Sequence, residues 1–366
     1  MSNWSVRASQ DVVPAVERQA QLADPGFGRY FTDHMASATC TTEDGWHDRL
    51  IGPRVPFVLD PAAAVLHYAQ EIFEGLKAFR HDDGSVWLFR PEMNAQRFRG
   101  SAHRLALPQL AEQDFLDACA GLVRTDRDWV PSGGGERSLY LRPFMFAAEA
   151  ALSVRPARRV IFAVVASPAG SYFTAHQPGG TTANGIRLWA SQTVARAANG
   201  GTGAAKCGGN YAAGLAAQLD AAAHGCEQVL YVDGASHSWL EESGTMNLYL
   251  VTAAGELVTP ELGTILAGVT RDSVLQLAAD HDLRPVERQV GLRELVEGLQ
   301  SGTFVEAFAC GTAAVITSIV EIRGADFTAS VGDGEPGPAT IRLRRQLVDI
   351  QLGRAPAPSG WLTRVS

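Results

Sequence analysis

A single lysine lies between two clusters of glycine, in Asn199-Gly200-Gly201-Thr202-Gly203-Ala204-Ala205-Lys206-Cys207-Gly208-Gly209-Asn210-Tyr211. Ile186-Arg187-Leu188-Trp189-Ala190-Ser191 ahead of it predicts a strand, and the Ala- and Leu-rich run from Tyr211 to Ala223 behind it predicts a helix. The chain between must turn, and glycine is used where backbone takes positive φ or lies close to a ligand. A lysine in such a place is a phosphate hook, a nucleophile or a solvated side chain on a surface turn. A P-loop needs glycine directly before the lysine and Ser or Thr directly after it. Ala205 and Cys207 hold those positions, so the pattern fails on both sides. Two Gly-Gly pairs exceed what a decorative surface turn requires. The sharper reading is a Schiff-base lysine, since a desolvated lysine loses its charge and its free amine attacks carbonyls. That chemistry implies pyridoxal phosphate, whose ring stores electrons.

A chain of 366 residues is long enough for two domains and a sizeable core. The net charge of −8 argues against a nucleic-acid partner, which selects for a basic face. The opening MSNWSVRASQDVVPAVERQAQ has no apolar core of signal-peptide length, and apolar runs such as Ile161 to Ala166 are too short to span a membrane. A cytoplasmic protein without membrane partners is expected. Five cysteines with no C-x-x-C spacing, and nine scattered histidines, give no disulfide framework and no metal site.

Taken in order, residues 1 to 30 read as an extended arm, and Phe31-Thr32-Asp33-His34-Met35 opens the first strand. Phe73 to Arg80 and Val86 to Arg90 flank an Asp-Gly turn and predict a hairpin. Helices are expected at about 92–105 and 112–124, a loop at Gly133-Gly134-Gly135, and strands at Leu139–Phe146 and Arg159–Ala166. The stretch from His176 to Gly185 is full of breakers and reads as an interdomain linker. Strands then alternate with helices, the helices including Thr270–Asp280, a segment around Leu292 to Leu299 and Ile341–Leu352. Arg342, Arg344 and Arg345 on the last read as a solvated face. The expected division is a smaller α/β domain at 1–173, a linker at 174–185 and a larger domain at 186–366 that carries the lysine. Placing the linker just before the lysine strand suits a site at the domain interface.

The lysine chemistry makes three further demands. The first is a phosphate cradle: Leu266-Ala267-Gly268-Val269-Thr270 leads into a helix, Thr270 can cap it, and N–H groups at a helix start bind anions. Cys310-Gly311-Thr312-Ala313 offers a second small-residue turn, and Arg97 a cation. The second demand is a carboxylate to hold a proton on the ring nitrogen. Glu241 and Glu242 both precede Ser243-Gly244-Thr245-Met246-Asn247, and adjacent side chains on an extended segment point opposite ways, so only one can serve. The third is a substrate anchor, for which Leu139-Tyr140-Leu141-Arg142-Pro143-Phe144 places an aromatic and an arginine on one face of a strand.

Lys206-Cys207-Gly208-Gly209-Asn210-Tyr211, Glu242 to Asn247, Phe73-Glu74-Gly75-Leu76-Lys77-Ala78-Phe79 and Gly311-Thr312-Ala313 together resemble the branched-chain amino acid aminotransferases of the class IV pyridoxal-phosphate enzymes. The resemblance runs over nearly the whole chain. It implies a mixed α/β, two-domain fold of type IV. It implies Lys206 as Schiff-base lysine and proton shuttle, Tyr211 on the cofactor O3′, and Glu242 rather than Glu241 on the ring nitrogen. Arg97, the Val269 and Thr270 amides and Thr312 match the phosphate site, and the Thr312 and Ala313 amides match the α-carboxylate contact. Phe27, Tyr68, Phe73, Tyr140, Arg142 and Tyr172 match the side-chain pocket. Because some of these reach the site from a neighbouring subunit in the family, a homodimer is implied. A redox Cys-x-x-Cys of mammalian members is missing after Gly311. The implied activity is transfer of the amino group between Leu, Ile or Val and 2-oxoglutarate. The rival readings are a D-amino acid aminotransferase, an aminodeoxychorismate lyase, or a non-enzymatic small-molecule binder on the same fold.

Overall fold

The computed structural model describes residues 4–132, 136–170 and 185–366. Two compact units emerge, one of Met1–Ala175, Ala205–Gly208 and Ile350–Ser366, the other of His176–Ala204 and Gly209–Asp349. This division departs from the expected one in two places: the lysine segment and the last residues of the chain both belong to the first unit.

The first unit is built on a mostly antiparallel sheet. Its strands run in the order Ser5–Val6, Gly45–Pro53, His34–Thr41, Arg159–Ala169, Ser138–Ala147, Leu76–Arg80, Val86–Phe89, Leu362–Arg364, with Glu71–Phe73 also paired to Ser138–Ala147. The expected hairpin closes at Arg80↔Val86, where Gly84 takes φ +80° and Asp83 accepts from the Ser85 amide at 2.9 Å. The helices Pro91–Arg104 and Glu112–Thr125 bury Phe98 and Phe115 against Phe162 of the sheet, with ring centres 5.6 and 6.3 Å from it. Each such burial contributes roughly 1.5–3 kcal/mol. The helix Pro91–Arg104 starts on a proline, whose fixed φ suits a first turn. Its buried positions include Asn94, Ala95, Phe98, Ser101 and Ala102, the spacing of one helical face.

In the second unit the strand order is Leu240–Ser243, Gln228–Val232, Ile186–Ser191, Val315–Arg323, Phe304–Gly311, Met246–Thr252, Glu256–Thr259, Arg284–Glu287, and Thr328–Ser330 adds to Val315–Arg323. Leu240–Ser243 also pairs with Met246–Thr252, through Glu242↔Asn247 and Ser243↔Met246. That pairing closes six of the strands into a ring and covers the outer edge of Leu240–Ser243, while Arg284–Glu287 still ends the path. The hairpin that closes it carries the Ser243-Gly244-Thr245-Met246 turn.

Several expectations are corrected. Residues 15–23 form a helix, not an extended arm, though only Leu22 of it is buried. The helix expected from Tyr211 to Ala223 is broken into Gly208–Ala212 and Leu215–Ala223, with the Gly214 carbonyl accepting from the Tyr231 hydroxyl at 3.2 Å. Arg344 is not on a solvated face: it donates to the carbonyls of Ala314, at 3.2 Å, and Ile316. Gly133–Gly135, Tyr172 and all of the expected linker except Gly185 lie outside the described residues. No helix among the described residues is long and apolar enough to cross a membrane.

Candidate active site

In the first unit the site residues are assembled by one strand interruption and one helix face. Glu71–Phe73 and Leu76–Arg80 pair in a single register with Ser138–Ala147, Phe73 opposite Phe144 and Leu76 opposite Leu141. The ladder lapses at Glu74 and Gly75. Glu74 donates its amide to the Pro143 carbonyl at 2.7 Å, but Pro143 has no N–H to return. A Cβ on Gly75 would sit 2.1 Å from the Tyr140 hydroxyl, so glycine here is what lets Tyr140 lie where it does.

The Glu74 carboxylate is wholly buried. It accepts from Arg97 Nε at 2.7 Å and Nη2 at 2.8 Å, from Asn94 Nδ2 at 2.7 Å and from the Gly75 amide at 3.1 Å. Burial alone would push this carboxyl up, but Arg97, with help from Lys206 and Asn94, holds it below the usual range. Asn94, Arg97 and Ser101 share one face of their helix at i, i+3 and i+7. At the far end of that face the Ser101 hydroxyl accepts from the Lys206 amide at 3.0 Å. The Lys206 carbonyl accepts from the Phe73 amide at 2.9 Å, and the Gly208 amide donates to Glu71. The lysine segment is thereby pinned along Glu71–Phe73. Lys206 Nζ lies 4.5 Å from the centre of the Phe73 ring. Burial, then Arg97, bring its ammonium down to about 8, with Glu74 opposing.

Arg142, the expected substrate anchor, stands on the same wall. Arg142 lies over the rings of Phe73, at 4.7 Å, and Tyr140, at 5.4 Å, and donates to the Tyr140 hydroxyl at 3.2 Å. Its Nε is buried and has no hydrogen-bond partner among the described residues. Phe27 packs edge-on to Tyr140 with ring centres 5.0 Å apart. Tyr68 stands apart: it is exposed and donates to the Leu152 carbonyl.

In the second unit the register across the closed ring gathers the remaining candidates. Glu242 is opposite Asn247, and Asn247 is opposite Cys310, the residue before Gly311-Thr312-Ala313. Glu242 accepts from the Leu266 amide at 2.6 Å, and Asn247 donates to the Leu266 carbonyl at 3.0 Å. The chain thus enters the helix Val269–Leu277 beside these residues. The residue that precedes this helix is Gly268, not the expected cap Thr270, which is buried within the first turn. A Cβ on Gly268 would lie 2.1 Å from Asn247 Oδ1, so a larger residue there would displace the Asn247 amide. Among the described residues no side chain caps the helix, and first-turn N–H groups have no acceptor within their helix. The turn Thr312–Ala313 ends on Val315 at φ +61°, a strained conformation for a β-branched residue.

Arg196 and Glu74 escaped the sequence reading as contributors to a site. Arg196 forms a buried ion pair with Glu242, Nε to Oε2 at 3.2 Å, and donates to the carbonyls of Gly203 and Thr264 at 3.3 and 2.8 Å. Glu241 points the other way, as the alternation of a strand requires. Burial pushes its carboxyl up, Thr264 donates to one oxygen, and the other has no partner among the described residues. Of the two glutamates, Glu242 is the one within ion-pair distance of a cation among the described residues. Tyr211 lies in the short helix Gly208–Ala212 that follows the lysine.

The residues present fit a pyridoxal-phosphate cofactor: in the first unit a lysine with lowered ammonium pKa, and in the second a buried carboxylate with an ion-pair partner and a helix start preceded by glycine. Residues 71–322 match the family model Amino-transferase class IV. The chain is 52% identical over 347 residues to a probable branched-chain-amino-acid aminotransferase of Streptomyces coelicolor, covering 94% of each chain. It is 47% identical to the branched-chain-amino-acid aminotransferase of Mycolicibacterium smegmatis, covering 99% of this chain and 98% of that one. The structure superposes on that of the branched-chain amino acid aminotransferase from Escherichia coli at a TM-score of 0.71, with 25% identity over 91% of this chain and 99% of the other. The chain belongs to the class IV aminotransferases, on the branch of the branched-chain-amino-acid aminotransferases.

Proposed function

We propose that this chain moves the amino group between L-leucine, L-isoleucine or L-valine and 2-oxoglutarate, giving branched-chain 2-oxo acids and L-glutamate. The observation that carries the reading is Arg142. Its guanidinium is stacked on two aromatic rings, so the wall around it is apolar enough for an alkyl side chain. Its buried Nε is ready to donate when the second carboxylate of glutamate arrives. One wall then serves both half-reactions. Two solved structures of a branched-chain amino acid aminotransferase, each 27% identical to this chain, support this. One is complexed with N-(5'-phosphopyridoxyl)-L-glutamate and the other with 4-methylvaleric acid, a dicarboxylic and a branched aliphatic occupant.

The cofactor is pyridoxal 5'-phosphate, which when bound supplies an electron sink for the charge left on Cα. Lys206 Nζ would carry the cofactor and move the proton to and from the substrate Cα. Glu242, backed by Arg196, would hold the proton on the pyridine nitrogen, and the Tyr211 hydroxyl would bond O3′. Arg97, the Val269 and Thr270 amides and Thr312 would hold the phosphate. Thr312 and Ala313 would take the α-carboxylate, and Phe27, Tyr68, Phe73, Tyr140 and Arg142 would line the side-chain pocket, with Tyr172 proposed from resemblance alone. A homodimer is part of the proposal. It is supported by the exposed apolar set Val55, Phe57, Val58, Leu66, Tyr68 and Leu152 of the first unit, a group that asks for a partner surface. A cytoplasmic location is supported by five free, buried thiols.

The test is a panel of donors and acceptors. L-Leucine, L-isoleucine and L-valine should react with 2-oxoglutarate within about one to two orders of magnitude of each other, because one methylene is worth only about 1–3 kcal/mol. Pyruvate as acceptor should be poor, having no second carboxylate for Arg142. Turnover of D-alanine but not L-leucine would replace this reading with a D-amino acid aminotransferase.

A further inference from the structure

We propose that Glu74 is a positioning residue for the cofactor phosphate, acting by fixing the Arg97 guanidinium in one plane. This rests on the assignment of Arg97 to the phosphate above. A long arginine side chain reaches a ligand in many rotamers, and a cation that must find its geometry anew at each encounter loses part of its binding energy to ordering. Here the geometry is set beforehand. Both oxygens of Glu74 are engaged by Arg97, at 2.7 and 2.8 Å, in the two-point arrangement that also fixes the plane. The carboxylate is fixed in turn by Asn94, one turn earlier on the same helix, and by the Gly75 amide. It cannot swing away, because the Glu74 amide is tied to the Pro143 carbonyl and Asn94 also donates to the Gly75 carbonyl, at 3.2 Å. Four N–H groups on one wholly buried carboxylate exceed what a structural ion pair needs. The arrangement also places a negative charge between two cations of one wall, Arg97 and Lys206. Burial and then repulsion by Arg97 lower the pKa of the Lys206 ammonium, and Glu74 acts against them.

The phosphate is the part of the cofactor that should register this, so binding of pyridoxal phosphate is compared with that of pyridoxal, which has none. Full-length enzyme freed of cofactor is dialysed to equilibrium against each compound. Glu74→Gln keeps the shape and removes the charge. The preference for pyridoxal phosphate over pyridoxal should fall by about tenfold or more, the loss of one charge-assisted hydrogen bond, while pyridoxal itself binds as before. Equal losses for both ligands, or no loss, overturn the proposal. A wild-type enzyme with no preference for the phosphorylated compound would instead remove the assignment of Arg97 on which it rests. Should Glu74→Gln fail to fold, a second pair decides. In an Arg97→Gln background, which already lacks the cation, adding Glu74→Gln should leave the preference unchanged and raise the melting temperature, because an unpaired buried carboxylate is removed. A further drop in preference would show that Glu74 does not act through Arg97.

Discussion

At the scale of single residues, Lys206 is distinguished from a surface lysine by its pKa. Burial and Arg97 bring it from the ordinary 10.5 to about 8. Only the neutral amine attacks a carbonyl, so in cofactor-free enzyme the rate of imine formation with salicylaldehyde should rise through about pH 8 and then level off. Lys206→Ala should abolish that phase. A rate still rising past the range of a solvated lysine would contradict the assignment. The stability consequence has a definite sign. Between about 8 and 10.5 the unfolded chain holds a proton that the folded chain has released, so this group makes cofactor-free protein more stable as pH rises through that window. Lys206, Arg142 and the glycines stand out as candidates because each declares itself in a short window, whereas Glu241 and Glu242 are adjacent and only the resemblance chooses between them. Glu74 and Arg196 do not stand out, because their meaning lies in partners such as Arg97, 23 positions away, and Glu242. A lone glutamate in an apolar motif says only that it must be paired.

Among the elements, the interrupted strand between Phe73 and Leu76 does the most. Its register puts Gly75 under the Tyr140 hydroxyl, and its missing ladder bond at Pro143 leaves Glu74 to face Arg97. Gly75→Ala should force Tyr140 aside. We expect a stability loss of about 1–3 kcal/mol from overpacking, read from denaturant midpoints, and a larger fall in kcat/KM for glutamate than for leucine, because Arg142 leans on Tyr140. Unchanged glutamate kinetics would mean that the hydroxyl does not orient Arg142. Elements with strong local signals were readable, such as the Asp-Gly hairpin and the helices Pro91–Arg104 and Glu112–Thr125. Residues 15–23 were not, since a helix that buries only Leu22 leaves almost no apolar stripe. Thr270 looked like a cap by residue type, yet the close approach of Asn247 gives that place to Gly268.

For the whole molecule, the two units are not two consecutive lengths of chain. The first receives Ala205–Gly208 and Ile350–Ser366 from beyond the start of the second. Composition could show that 366 residues suffice for two units, but not that the Pro-rich tail would end in a strand on Val86–Phe89. That tail buries Trp361 and Val365, donates from the Val365 amide to the Val86 carbonyl at 2.8 Å, accepts from the Val86 amide at the Ser366 carbonyl at 3.0 Å, and lays Trp361 under Arg90 at 4.6 Å. A chain stopped before Trp361 should lose about 3 kcal/mol or more, the scale of deleting one buried tryptophan. Amide hydrogen exchange should quicken across Val86–Phe89 and Leu76–Arg80 and stay unchanged in Met246–Thr252. Uniform quickening would show that the units do not respond separately.

The same returning strand sets an order of events during synthesis. Val86–Phe89 leaves the ribosome long before Leu362–Arg364, its partner along one side. At about 5–20 residues per second the interval is on the order of tens of seconds. For that time the first sheet stands with an open edge, able to accept a strand from another nascent chain. A translational pause anywhere in the second unit prolongs that exposure, so codon usage far downstream of the first sheet bears on whether it closes on its own tail or on a neighbour's.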